Sequence, residues 1–227
     1  MQSKQSGFTL IEIAIVLVVI GLLLGGVLKG QELIDNAKVK NIANDFKNIP
    51  VFIYGYQDKF KALPGDDPAA ATHLSGGTAA ATPTTSLGNG TINGSWNSAT
   101  ITDESYLFWQ HIRLAGFAAG GTTPGAADYA QTNAAGGTIG VQSNAGFTTI
   151  TKNAAGTDAA MSGTYIICSS GILGKYAKQL DIMLDNGDTD SGSVRVTDSA
   201  STTGKSIAAT GAGSIQDGNP YTVCMSV

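Results

Sequence analysis

Gly7-Phe8-Thr9-Leu10-Ile11-Glu12 opens an apolar run that continues through Val27 and Leu28. Counted from Phe8 to Leu28, the run is 21 residues with a single charge. At about 1.5 Å rise per residue it makes a helix long enough to cross roughly 30 Å of hydrocarbon. The lone charge is Glu12. A carboxylate inside a spanning helix costs on the order of 2.5–3.5 kcal/mol on insertion scales, so an acid kept there implies a waiting partner. The plain alternative is an ordinary membrane anchor with one tolerated acid near its end.

The leader Met1 to Gly7 is short and polar and contains Lys4. A secretory signal peptide places its apolar core before the cleavage site, whereas here the apolar segment follows the leader. A polar leader ending in Gly7, then Phe8, Thr9, Leu10, Ile11 and Glu12 at the head of a long apolar run, resembles the type IV prepilins. These are precursors of the filament subunits shared by type IV pili, type II secretion pseudopili and competence pili. The resemblance implies cleavage between Gly7 and Phe8 by a membrane aspartyl peptidase and N-methylation of Phe8 by the same prepilin peptidase/methyltransferase system. It also implies an assembly role for Glu12, which would meet the N-terminus of a neighbouring copy. The implied location is the bacterial inner membrane as a single-pass precursor, then a pilus on the cell surface. Lys29, Lys38 and Lys40 beyond the span weaken a positive-inside argument set by Lys4. An outward-facing head therefore rests on the resemblance. Many pilins carry a proline 22 residues into the mature chain, where this sequence has Lys29; helix melting on assembly would fall to Gly25, Gly26 and Gly30.

Charged residues make up 13 % of the chain, against about 25 % in typical soluble proteins, and 30 glycines in 227 residues is nearly twice the usual share of about 7 %. That composition predicts a head rich in turns and short strands under a neutral surface. A net charge of −4 provides no basic field for nucleic acid.

Past the span, Ile42, Phe46, Ile49, Ile53, Tyr56, Phe60 and Leu63 recur at alternating steps of four and three, lining one helical face to be buried against the head. Pro50 lies inside this stretch, so a kink near residues 46–50 is expected. Leu63-Pro64-Gly65-Asp66-Asp67-Pro68 is turn chemistry that stops the helix. Residues 69–99 then read as a polar surface loop partly pinned by Trp96, with sequon triplets at Asn89 and Asn93. Residues 103–114 predict a helix opened by Thr102 as N-cap and closed by Gly116, its aromatic cluster in the core. Ile139-Gly140-Val141, Phe147 to Ile150 and Thr164 to Cys168 read as short antiparallel strands, and Gly174 to Leu184 as one more helix. The expected organisation is a leader (1–7), a transmembrane or filament-core helix half (8–28), an amphipathic half (29–63) and a β-rich head (64–227). The fold class is α+β: a long N-terminal helix packed on an antiparallel sheet.

Cys168 and Cys224 are the only cysteines. In the oxidising compartment that the resemblance implies, they either pair, as the C-terminal cysteines of type IV pilins typically do, or remain two buried thiols. Asp185, Asp188 and Asp190, with Asn186, place hard oxygen ligands on a flexible turn of the kind Ca²⁺ prefers. The EF-hand pattern fails there, because Ser191 and Thr197 stand where glycine and glutamate are required, and a plain hairpin turn is the competing reading. No catalytic cofactor is implied. His73 and His111 are isolated in sequence, and Gly204-Lys205-Ser206 lacks the preceding glycine of a phosphate loop, so no enzyme is read from these motifs. The sequence thus predicts a pilus subunit whose partners are copies of itself, other pilins, the peptidase and the inner membrane. The alternatives are a secretion pseudopilin and, from another class, a membrane-tethered periplasmic binding protein.

Overall fold

The apolar run and the stripe beyond it form α1, Leu10–Phe60, in a computed structural model that describes residues 9–84, 87–200 and 204–227. The chain divides into two units, the first ending at Lys38 and the second spanning Val39–Val227. In the first unit the apolar side chains of the helix, from Leu10 through Leu28, are exposed. In the second unit Val39, Ile42, Phe46, Ile49, Ile53 and Tyr56 are buried at alternating steps of three and four, the spacing of one helical face. Pro50 lies within the helix. The predicted face runs past the end of the helix at Phe60 to Leu63: Lys61 takes φ 55°, the left-handed conformation that ends helices, and Leu63 is buried from the following loop.

The remaining elements are α2 (Ala70–His73), α3 (Glu104–Leu114), β1 (Ile139–Ser143), β2 (Tyr165–Leu173), α4 (Gly174–Leu184), β3 (Val194–Asp198) and β4 (Pro220–Ser226). The strands form one antiparallel sheet in the order β1-β2-β4-β3. The fold is therefore α+β, with a long N-terminal helix and an antiparallel sheet, as the sequence predicts. The period of two along each strand separates its faces. Ile139, Val141, Ile167, Val223, Met225, Val194 and Val196 join the α1 stripe, Phe108 and Trp109 of α3, and Tyr176 and Leu180 of α4 in the main core. Ile166, Cys168 and Cys224 face the other way, into a smaller core with Trp96, Phe147, Ile150 and Met161.

Three expectations need correction. Residues 147–150 form no strand: Phe147 and Ile150 are drawn into the smaller core, where packing rather than pairing satisfies them. The N-cap of α3 is Asp103, not Thr102. Its carboxylate is taken by the Thr82 and Ser98 hydroxyls, at 2.5 and 2.6 Å, and makes no capping bond. Finally, β3 and β4 have no counterpart in the sequence reading. The C-terminus of α3 does end as predicted, at Gly116 with φ +85°. The Phe117 N–H bonds to Ile112 O and the Gly116 N–H to Arg113 O, the paired bonds of a Schellman motif.

Trp96 pins its loop as expected. Its backbone N–H donates to Gln142 Oε1 (2.9 Å) and its indole N–H to Thr149 Oγ1 (3.2 Å). The loop crosses close to the sheet at Gly140, where any Cβ would lie 1.8 Å from Trp96 O.

Candidate functional site

Thr9 precedes the first helical residue and Glu12 stands three residues later, the spacing at which side chains satisfy each other's exposed backbone donors. The Glu12 carboxylate accepts from the Thr9 N–H (2.8 Å) and from the Thr9 hydroxyl (2.7 Å), while the Glu12 N–H approaches Thr9 Oγ1 at 3.3 Å. Thr9-Leu10-Ile11-Glu12 is thus a capping box, a second function for an acid that the sequence suggests for assembly. Behind it α1 is the one described helix long and apolar enough to cross a membrane, and none of its most apolar stretch is buried. Side chains built at Gly21, Gly25, Gly26 and Gly30 would meet nothing within 4 Å among the described residues. Lys29 pairs with Glu32 at 2.7 Å. Gly7 and Phe8, the expected cleavage and methylation positions, lie outside the described residues.

Residues 2–28 match the family model described as the prokaryotic N-terminal methylation motif. The chain carries a prepilin-type cleavage and methylation signature. No curated protein and no solved structure matches it. The prepilin-type segment marks a type IV pilin- or pseudopilin-like protein and fits a membrane-anchored precursor, with the apolar part of α1 as the anchor.

Beyond the prepilin-type segment, the structure joins Cys168 of β2 to Cys224 of β4 in a disulfide. The two residues are direct partners in the ladder, with Cα atoms 4.1 Å apart, and both are fully buried. The Asp185–Asp190 turn spends its carboxylates on itself and its neighbours. Asp185 Oδ2 accepts from the Ser193 and Val194 amides (2.6 and 3.0 Å). Asp188 accepts from the Asp190 amide (3.2 Å) and the Ser191 hydroxyl (3.1 Å). Asp190 Oδ1 accepts from the Ala154 amide (2.6 Å) and from Ser206 Oγ. Among the described residues, no three His, Cys, Asp or Glu side chains gather where they would hold a metal ion.

Two histidines that are distant in sequence meet the same face of α1. The Asp67 carboxylate, fully buried, accepts from Tyr56 OH (2.7 Å) and the Ala69 N–H (2.9 Å) and lies 2.7 Å from His73 Nδ1. Burial pushes this carboxyl up, but the hydrogen bonds from His73, Tyr56 and Ala69 outweigh it and leave it below the usual range. His111, stacked on Tyr56, accepts from the Gly65 N–H at Nδ1 (2.9 Å), which leaves Nε2 to donate to Thr78 O (2.8 Å). Its burial lowers the imidazole pKa and keeps the ring neutral. Asp66 clamps the following loop by accepting from the Gly90 and Gly88 amides. Glu104, fully buried, accepts from the Asn93 backbone and side-chain amides through one oxygen only, and burial pushes it up to about 6. The turn read as Pro64-Gly65-Asp66-Asp67-Pro68 is therefore a buried polar clamp between α1 and the 69–103 loop.

Proposed function

We propose that the chain is a structural subunit of a type IV pilus, cleaved after Gly7, methylated on Phe8 and polymerised through its N-terminal helix. The observation that carries the reading is the prepilin-type motif followed at once by a helix whose apolar side chains, from Leu10 through Leu28, are exposed. Exposed surface on that scale is stable only in a membrane or against other copies. Glu12 caps its own helix before cleavage. Once the leader is removed, the new amine of Phe8 on an adjacent subunit is the cation that would neutralise Glu12 inside an apolar filament core. The disulfide that braces the C-terminal strand favours a pilus over a secretion pseudopilus, since pilins typically close this region with a cysteine pair.

The test is electron microscopy of filaments sheared from the cell surface, with mass spectrometry of their subunit. Filaments built from this chain and starting at a methylated Phe8 support the reading. A chain that stays in the membrane with its leader intact overturns it.

A further inference from the structure

Within the second unit, Asp45, Asn48 and Phe52 rise in register along one side of α1 and face Trp109 of α3, Phe117 and Gln131 across a cavity of about 300 Å³. Phe117 reaches this position because residue 55 is glycine: a Cβ there would lie 2.9 Å from the Phe117 ring. The lining is aromatic and apolar except for two amides and one carboxylate. That carboxylate, Asp45, is half-buried and has neither an ion-pair nor a hydrogen-bond partner among the described residues. Burial alone raises its pKa, the mark of a charge that has lost water and gained nothing in return. Arg113 of α3 stacks over Trp109 and is engaged elsewhere, donating to Gly121 O, Tyr129 O and Gln131 Oε1. A ring-lined pocket with one unneutralised carboxylate suits a primary ammonium, which gains both a counter-charge and the faces of the rings.

The same helix carries complementary groups. Lys40 and Lys47 are exposed and, among the described residues, have no ion-pair partner; five residues before and two after Asp45, they lie on the other side of α1 from it. The geometry points to an interface in which the Asp45 pocket receives a lysine ammonium, from Lys40 or Lys47, of a second copy of this chain. This inference rests on the filament reading above and names one of its lateral contacts. Such a pair would fix the register between neighbouring heads more than it adds affinity.

Zero-length carbodiimide coupling on sheared wild-type filaments tests it, read by mass spectrometry of peptides that join two copies. The expected result is an amide between Asp45 and Lys40 or Lys47, lost in Asp45→Asn, together with about tenfold fewer filaments from that variant. Head stability should be unchanged or higher in Asp45→Asn, because a poorly solvated charge has been removed; a purely structural role would instead lower stability. Filaments that cross-link elsewhere but never at Asp45, with Asp45→Asn assembling as wild type, overturn the inference and leave the filament reading standing. Absence of filaments from the wild type overturns both. Protection of Asp45 by added tetramethylammonium on detergent-solubilised protomers, without any Asp45 cross-link in filaments, would assign the pocket to a free organic cation and also overturn it.

Discussion

Tyr56 donates its hydroxyl to Asp67 at 2.7 Å, and through this bond the buried face of α1 holds the loop that follows it. Asp67→Asn should destabilise the folded chain by about 1–3 kcal/mol at neutral pH, because it removes a charged acceptor from three donors. The folded-state pKa of Asp67 lies below its unfolded value, so the stability it contributes is present above that value, near 3.9, and is lost as pH falls through the folded one. Urea unfolding at pH 7 and in strong acid should show the wild type and variant differing at the first and converging at the second.

Glu104 has the opposite sign. Its folded pKa is raised from 4.5 to about 6, so its protonated form is the one folding favours. That contribution is full below 4.5 and is lost as pH rises through about 6. Glu104→Gln keeps an oxygen for the Asn93 amides and removes the charge. It should stabilise the chain by on the order of 1 kcal/mol at pH 8 and have little effect at pH 4, as read from unfolding midpoints at the two pH values.

How much of this was readable follows from which interactions are local. The stripe from Ile42 to Tyr56 and the helix Gly174–Leu184 are set by periodicity, and the structure has both. Phe147-Thr148-Thr149-Ile150 has strand-like residues, yet a strand also needs a neighbour to pair with, and the sheet offers none there. In β4 the alternation of Tyr221, Val223 and Met225 was available as a signal, behind a proline tolerated at a strand's first position. The clamp of Tyr56, Asp67, His73 and His111 was not, because its members come together only when the loop folds back on α1. The capping bonds of Thr9 and Glu12 were written in the sequence by their spacing, within a motif that reads first as a processing signal.

The disulfide links the two central strands and closes a loop of 56 residues, worth about 4 kcal/mol on the chain-entropy account. Cys168→Ser should leave membrane insertion intact and open the C-terminal region to protease. Labelling of both cysteines by a thiol reagent in the folded, unreduced protein would contradict the bond.

The proposed cut after Gly7 would need a small residue at that position. Gly7→Val should therefore accumulate as a membrane-bound precursor seven residues longer than the mature chain, seen as the intact mass of the membrane fraction. Normal removal of the leader from this variant would contradict the assignment.

The central claim is that Glu12 serves assembly by its charge, beyond capping its own helix. Glu12→Ala removes both functions, whereas Glu12→Gln retains a capping-box acceptor and removes only the charge. Both variants should be inserted and cleaved, since each takes a charge out of the apolar segment. The decisive measurement is the filament count by electron microscopy for Glu12→Gln in a strain that makes no other pilin. The account predicts few or no filaments despite normal amounts of cleaved subunit, because a neutral side chain cannot pair with the Phe8 amine of a neighbour. Wild-type numbers of filaments from Glu12→Gln would contradict it and leave Glu12 as a helix cap alone.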